Sequence, residues 1–227
     1  MLNRKTRFIR LWKLTLLIIL FPYIIFAQTN DKQKHNFINR LSLQMSYQSG
    51  YVFPTNDFIK GINLGIDEID EFQAFSLKIS TQSNGSKIWE QLYKYPNYGV
   101  GLYLADFQRP SEIGTPLGIY GFFIAPFKRR DLITLNYEIG FGVTFNWKRY
   151  DPVSNKYNIA IGAGQSFLID AGMNIQYSLT NKLILEGGFT LTHFSNGALK
   201  MPNKGINTIA PKISIKYNFY NSTIFIE

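Results

Sequence analysis

The feature that most constrains the fold of this chain is an alternation of apolar and polar residues with a period of two. Successive side chains of a β-strand point to opposite faces, so this period indicates strands whose two faces have different surroundings. It is clearest over residues 132–147. There one row holds Ile133, Leu135, Tyr137, Ile139, Phe141, Val143, Phe145 and Trp147, and the other holds Thr134, Asn136, Glu138, Gly140, Gly142, Thr144 and Asn146.

The same pattern recurs and predicts eight strands in all. The other seven are 41–48, 72–80, 98–107, 117–126 (apolar on both faces), 166–178, 182–196 and 206–219. Strands of about ten residues with an apolar and a polar or small face are typical of a transmembrane β-barrel, whose apolar rows face lipid. The polar rows would then put Glu138, Asp170, Glu186 and Lys216 inside, and eight strands enclose a space that such side chains fill.

The predicted fold class is therefore all-β, an eight-stranded antiparallel transmembrane β-barrel. The alternative is a soluble sandwich or a lipocalin-like barrel, in which the apolar rows would form the core. Long, uninterrupted apolar rows opposite buried charges favour the membrane barrel, with a polar-filled interior.

Residues 1–27 follow a different pattern. They contain five basic residues and no acidic one, and an apolar run that ends at Ala27. This arrangement indicates a secretory signal peptide. A retained membrane anchor is the alternative, but it normally needs about 20 apolar residues, and Pro22 favours cleavage. We therefore predict a cleaved signal peptide at 1–27 and a barrel domain at 28–227, located in the bacterial outer membrane.

Charge and composition narrow the function classes. The full chain carries a formal charge of +9, but without the five basic residues of 1–27 the remainder has 19 basic and 15 acidic residues, or +4. That excess does not indicate a nucleic-acid partner. The absence of cysteine excludes disulfides and thiol nucleophiles, and two histidines give no basis for a histidine-rich metal site. One of them, His35, lies in a polar stretch before the first strand, where we expect it to be solvated.

The connections follow barrel topology with one exception. An even strand number puts both chain ends on the periplasmic side, with short turns there and longer loops outside. The connection at 81–97 is long although it belongs on the side of the short turns, and only an interfacial insertion of Trp89 and Tyr93 suggests itself. No task is apparent for 49–71. The short connections are 127–131 and 179–182, and the long outer ones are 49–71, 148–165 and 197–206.

A polar group interrupts the outward rows near the end of the seventh strand. His193 and Ser195 are two residues apart and continue the row of Leu191, and Asn207 lies on the outward row of the eighth strand, roughly opposite His193. Polar groups are costly on a lipid-facing wall, although they also occur where a strand leaves the hydrocarbon. A hydroxyl, an imidazole and an amide fit the nucleophile, base and orienting group of acyl transfer. A substrate reaching them from the membrane would be an acyl-bearing lipid.

The run HFSNGALKMPNKGI at 193–206 resembles the signature of the lipid A 3-O-deacylase (PagL-like) family. That signature is His, an aromatic residue, Ser, Asn, small residues and then Pro-Asn-x-Gly-Ile-Glu. The resemblance implies an eight-stranded outer-membrane barrel with a Ser-His-Glu triad on its outer wall. It also implies removal of the ester-linked 3-hydroxyacyl chain at position 3 of lipid A, in lipopolysaccharide, without a metal or cofactor. By this resemblance Ser195 is the nucleophile and His193 the general base.

The chain departs from the family signature at its last position, where Asn207 replaces the glutamate. A carboxylate orients the imidazole and stabilises the imidazolium, whereas an amide does only the first. In a serine protease this replacement costs about 10⁴ in rate, although papain-type proteases use Asn in that place. Three possibilities follow: an active enzyme with Asn207 as orienting group, an active enzyme with an acid from a loop, or an inactive protein.

The oxyanion hole has several candidate donors. The backbone N–H groups of Asn196, Gly197 and Ala198, or an Asn side chain, could serve. Gly197, Gly205 and the Pro202-Asn203 pair are first of all turn signals. The predicted function is an outer-membrane serine esterase acting on lipid A, and the alternative is a catalytically inactive structural or lipid-binding barrel. A soluble periplasmic binding protein is a third hypothesis.

Overall fold

A computed structural model describes residues 40–220, so the predicted signal peptide and His35 lie outside the described residues. Eight strands pair antiparallel in chain order and close into a barrel through β1 and β8. This confirms the predicted fold class. The strands are β1 Leu41–Val52, β2 Glu71–Gln82, β3 Asn97–Asp106, β4 Gly114–Arg130, β5 Ile133–Trp147, β6 Ser166–Ser178, β7 Leu183–Ser195 and β8 Ile206–Asn218, and a short helix, α1, spans Ile88–Leu92 between β2 and β3.

Two strands are longer than their alternation predicts. β1 was expected to end at residue 48 but continues to Val52 through Gly50. A Cβ at Gly50 would lie 2.2 Å from the carbonyl oxygen of Ile209, so only glycine permits the close approach of β1 and β8 there. β4 covers 114–130 instead of 117–126, and a register shift beside Pro126 interrupts its pairing with β5.

The outward rows form an apolar belt around the barrel. Leu102, Ile119, Phe141, Ile169 and Ile213, from five different strands, are each about half exposed. A belt of this kind exceeds the apolar patches that soluble proteins leave uncovered and matches the lipid-facing surface of a membrane barrel. No helix among the described residues is long and apolar enough to cross a membrane.

The interior is polar only in part, which corrects the prediction of a polar-filled barrel. Towards the end that carries the chain ends and the short turns, Glu138 accepts hydrogen bonds from the buried ammonium groups of Lys78 and Lys212. Glu186 accepts from the side-chain amides of Gln44 and Gln176.

The opposite end, which carries the long loops, is filled by aromatic rings. Phe194 packs against Phe107 and Trp147 at centroid distances of 6.0 and 5.2 Å. Phe58 and Ile59 of the β1–β2 connection are fully buried over this cluster. The connection at 49–71 therefore closes the barrel from above, a task that its mixed sequence did not reveal.

The long connection between β2 and β3 contains α1. Trp89 lies 5.8 Å from Tyr98, and Tyr93 lies 5.4 Å from Phe123, measured between ring centroids. Arg129 donates to the backbone carbonyl of Tyr95 at 3.1 Å. Tyr98 and Phe123 are on outward rows, so the segment packs its aromatic rings on the outer wall at the end of the short turns.

The charge cluster around Glu138 generates a stability prediction. Glu138→Gln removes the one carboxylate between two buried lysines, and breaking a buried ion pair in this way costs about 3–5 kcal/mol. We expect the urea midpoint of unfolding in detergent to fall accordingly. Glu71→Gln, which neutralises an exposed carboxylate, is the control and should leave the midpoint within error. Equal midpoints for all three proteins would contradict a stabilising role for the cluster.

Candidate active site

Strand β7 determines the direction of His193 and Ser195. They pair with Ile169 and Phe167 of β6, both on the outward row, and each is partly exposed. Phe194, between them in the chain, points inward and is fully buried in the aromatic cluster. The inward anchor of Phe194 thus holds its two neighbours on the lipid-facing wall.

Strand β8 brings Asn207 to His193. The two residues are direct register partners, and His193 Nδ1 lies 2.7 Å from Asn207 Oδ1. An amide oxygen only accepts hydrogen bonds, so Nδ1 carries the proton and Nε2 keeps its lone pair. That is the tautomer of a general base. The group that meets Nδ1 is thus an amide and not a carboxylate from a loop.

Two N–H donors converge on the hydroxyl oxygen of Ser195. The side chain of Asn203 donates to Oγ at 2.8 Å, and the backbone N–H of Gly197 donates to it at 3.2 Å. Gly197 has a φ of 65°, a backbone conformation that favours glycine and turns the hairpin back over β7. The loop between β7 and β8 therefore places both donors beside the hydroxyl.

The other candidate oxyanion donors are placed differently. The backbone N–H of Asn196 is occupied by Asn203 Oδ1 at 3.1 Å, and its side-chain amide donates to the carbonyl of Lys200 at 2.8 Å. Ala198, with a φ of 61°, lies further along the turn. The structure thus brings Gly197 to Ser195, does not bring Asn196 there, and adds Asn203, which the sequence marks first as a turn residue.

A second set of residues reaches the site from the β1–β2 connection. Asn207 Nδ2 donates to Thr55 Oγ1 at 3.2 Å. The backbone N–H of Phe53 donates to the carbonyl of Asn207 at 2.9 Å, and the Asn56 side chain donates to the carbonyl of Gly205 at 3.0 Å. Nothing in the sequence pattern connects residues 53–56 with the hairpin about 150 positions away. Among the described residues, no cluster of three or more His, Asp or Glu side chains is arranged to hold a metal.

Comparisons with solved structures find small membrane barrels. The first is Neisserial surface protein A (NspA), with 9% identity over 79% of this chain and 97% of that chain and a TM-score of 0.49. The outer membrane enzyme PagL follows with 16% identity, coverage of 75% and 97%, and a TM-score of 0.45. The N-terminal β-barrel domain of Pseudomonas aeruginosa OprF has 8% identity, coverage of 79% and 98%, and a TM-score of 0.42. Curated protein sequences gave no match.

The closed barrel, its apolar belt and the polar group on the outer wall define a small integral β-barrel protein of the outer membrane. The family model for lipid A 3-O-deacylase (PagL) matches residues 73–216, which include seven of the eight strands and the whole β7–β8 hairpin. The chain belongs to this family.

Gly205 generates a prediction about the site. It has a φ of 72°, and a Cβ there would lie 3.0 Å from His193 Cε1. Gly205→Ala should strain the backbone, displace the imidazole and lower the labelling rate of Ser195 by a fluorophosphonate at least about tenfold, since misplacement of about 1 Å costs up to 10²-fold. Gly187→Ala on β7, where a Cβ meets nothing within 4 Å, is the control. Equal labelling of both variants and the wild type would show that Gly205 does not constrain His193.

Proposed function

We propose that this protein is a serine esterase of the outer membrane that removes an ester-linked 3-hydroxyacyl chain from position 3 of lipid A. Family membership supports the substrate class. The observation that carries the chemistry is the 2.7 Å contact of His193 Nδ1 with Asn207 Oδ1, on the same outward row as Ser195. It leaves Nε2 free to act as a base.

In the first half of the reaction, His193 Nε2 takes the proton of Ser195 as Oγ attacks the ester carbonyl. The resulting oxyanion needs donors that are already in place. The Asn203 side chain and the Gly197 N–H, at 2.8 and 3.2 Å from Oγ, are the nearest polar groups for that role. The imidazolium then protonates the sugar oxygen as the ester C–O bond breaks, which leaves an acyl group on Ser195.

In the second half, water attacks the acyl-enzyme. His193 Nε2 takes a proton from the water molecule, and a tetrahedral intermediate forms on the same donors. Collapse of this intermediate returns the proton to Ser195 Oγ and releases a 3-hydroxy fatty acid. Asn207 acts throughout by holding the imidazole ring, because an amide oxygen accepts from Nδ1–H in both the neutral and the protonated state of histidine.

The surroundings of Ser195 suit a lipid with a phosphorylated head group. Phe167, its register partner on β6, stacks on Phe141 at a centroid distance of 5.8 Å and offers an apolar surface to an acyl chain. Lys200 and Lys204 are exposed on the hairpin itself and can meet phosphates. We further propose that residues 1–27 are a signal peptide, on the grounds of their basic and apolar segments.

Mass spectrometry of lipid A tests the function. Cells that express the wild type should show lipid A that lacks one 3-hydroxyacyl chain, whereas cells that express Ser195→Ala should show only the fully acylated species. Ser111→Ala, an exposed loop serine, is the matched control and should behave as the wild type. A fully acylated product from a folded, inserted wild type would reject the esterase and favour a structural or lipid-binding barrel.

Asn207→Asp tests the contribution of the amide. The aspartate has the same size and gives Nδ1–H a charged acceptor, and charge-assisted hydrogen bonds are roughly twice as strong as neutral ones. That gain of about 1–1.5 kcal/mol predicts a rise in kcat of about tenfold. Asn207→Leu, which cannot accept a hydrogen bond, should lose activity by a factor of at least about 10². Equal rates for the three proteins would mean that residue 207 takes no part in the reaction.

A further inference from the structure

We propose that Thr55 is a positioning residue that holds the Asn207 amide with its oxygen towards His193. The hydrogen bond between Asn207 Nδ2 and Thr55 Oγ1 is the contact that does this. Its consequence for catalysis rests on the proposed function, whereas its consequence for the histidine tautomer does not.

An amide needs this help because its two ends differ. A carboxylate offers an oxygen to the imidazole whichever way it is turned, but an amide offers either an oxygen or an NH₂ group. If the NH₂ group faces Nδ1, the proton moves to Nε2, and histidine then cannot take a proton from Ser195. This wrong tautomer is the reason that an amide in place of the triad carboxylate is so costly in serine proteases.

In this chain both ends of the amide have a partner. Oδ1 lies 2.7 Å from His193 Nδ1, and Nδ2 donates to Thr55 Oγ1 at 3.2 Å. Thr55 is exposed, so its hydroxyl accepts from the amide and keeps its own hydrogen for solvent. The imidazolium formed during the reaction donates from both ring nitrogens, and only this orientation of the amide accepts from it.

The position of Thr55 is itself determined by the loop that carries it. On one side, the backbone N–H of Phe53 donates to the carbonyl of Asn207 at 2.9 Å. On the other, the buried side chain of Asn56 donates to the carbonyl of Gly205 at 3.0 Å and accepts from the N–H of Ile59 at 3.2 Å. The segment is thus fastened to the start of β8 on both sides of Thr55, so that the β1–β2 connection completes the group on β7 and β8.

The test measures the tautomer of His193 directly. The chain contains two histidines, so the full-length His35→Gln protein, labelled with ¹⁵N-histidine and folded in detergent, gives the ring signals of His193 alone. We expect the neutral ring to carry its proton on Nδ1 in this protein and with Thr55→Ser. With Thr55→Val, the Nε2–H tautomer should become a major species.

Thr115→Val is the matched control, because Thr115 Oγ1 also accepts from an asparagine amide, that of Asn146 at 2.9 Å, at a distant exposed place. It should leave the His193 tautomer unchanged. A second control is Asn207→Asp combined with Thr55→Val. The carboxylate has no donor end, so this protein should keep the Nδ1–H tautomer. An Nε2–H tautomer in the reference protein, or the same tautomer with and without the Thr55 hydroxyl, would overturn the proposal.

Kinetics add an arm that depends on the esterase. Thr55→Val should lower kcat by between about ten-fold and 10⁴-fold at unchanged KM, the upper limit being the cost of a fully wrong tautomer. In the Asn207→Asp background the same substitution should change kcat by less than about twofold, because a carboxylate needs no orientation. If lipid A proves not to be a substrate, the esterase fails but the tautomer measurement still decides the role of Thr55.

Discussion

Closure of the backbone hydrogen-bond ladder is the constraint on which the rest of this structure depends. No water reaches the backbone in the hydrocarbon of a membrane, so every N–H and C=O of a spanning strand needs a partner in a neighbouring strand. Eight strands satisfy this only when β1 also pairs with β8. Closure fixes the register of every pair, and a slip of one residue would exchange the two faces of a strand. His193 and Asn207 are register partners, so they meet outside the barrel because the ladder is closed in this register.

The site lies where this regular ladder ends. β7 and β8 supply His193, Ser195 and Asn207, but the groups that complete the arrangement come from irregular segments. Asn203 and Gly197 belong to the hairpin, and the 53–56 segment comes from the opposite side of the β7–β8 pair. Beneath them, the buried ring of Phe194 packs between Phe107 and Trp147. The aromatic filling of this end therefore supports a site on the outside of the wall.

Much of the barrel could be predicted from local alternation, and the quality of the prediction followed the quality of the pattern. β6 was predicted to the residue, and β5, β7 and β8 within one residue at each end, because their apolar rows are continuous. β1 and β4 were predicted too short. Gly50 was outside the pattern because its role is to permit a close approach of β8, which no single strand reveals. The apolar end of the interior was missed because Phe58, Phe107 and Trp147 come from separate segments.

By itself, the sequence determined the strand number, the row on which each side chain lies and the juxtaposition of His193, Ser195 and Asn207. These follow from parity and from a short hairpin, and both are local properties of the chain. The tertiary structure alone decided which end of the Asn207 amide faces the imidazole, which donors lie at Ser195 Oγ and that Thr55 belongs with them. Those are distances between residues far apart in the chain or in the turn of a loop. They become defined only when the barrel has closed and the β1–β2 connection has folded over it.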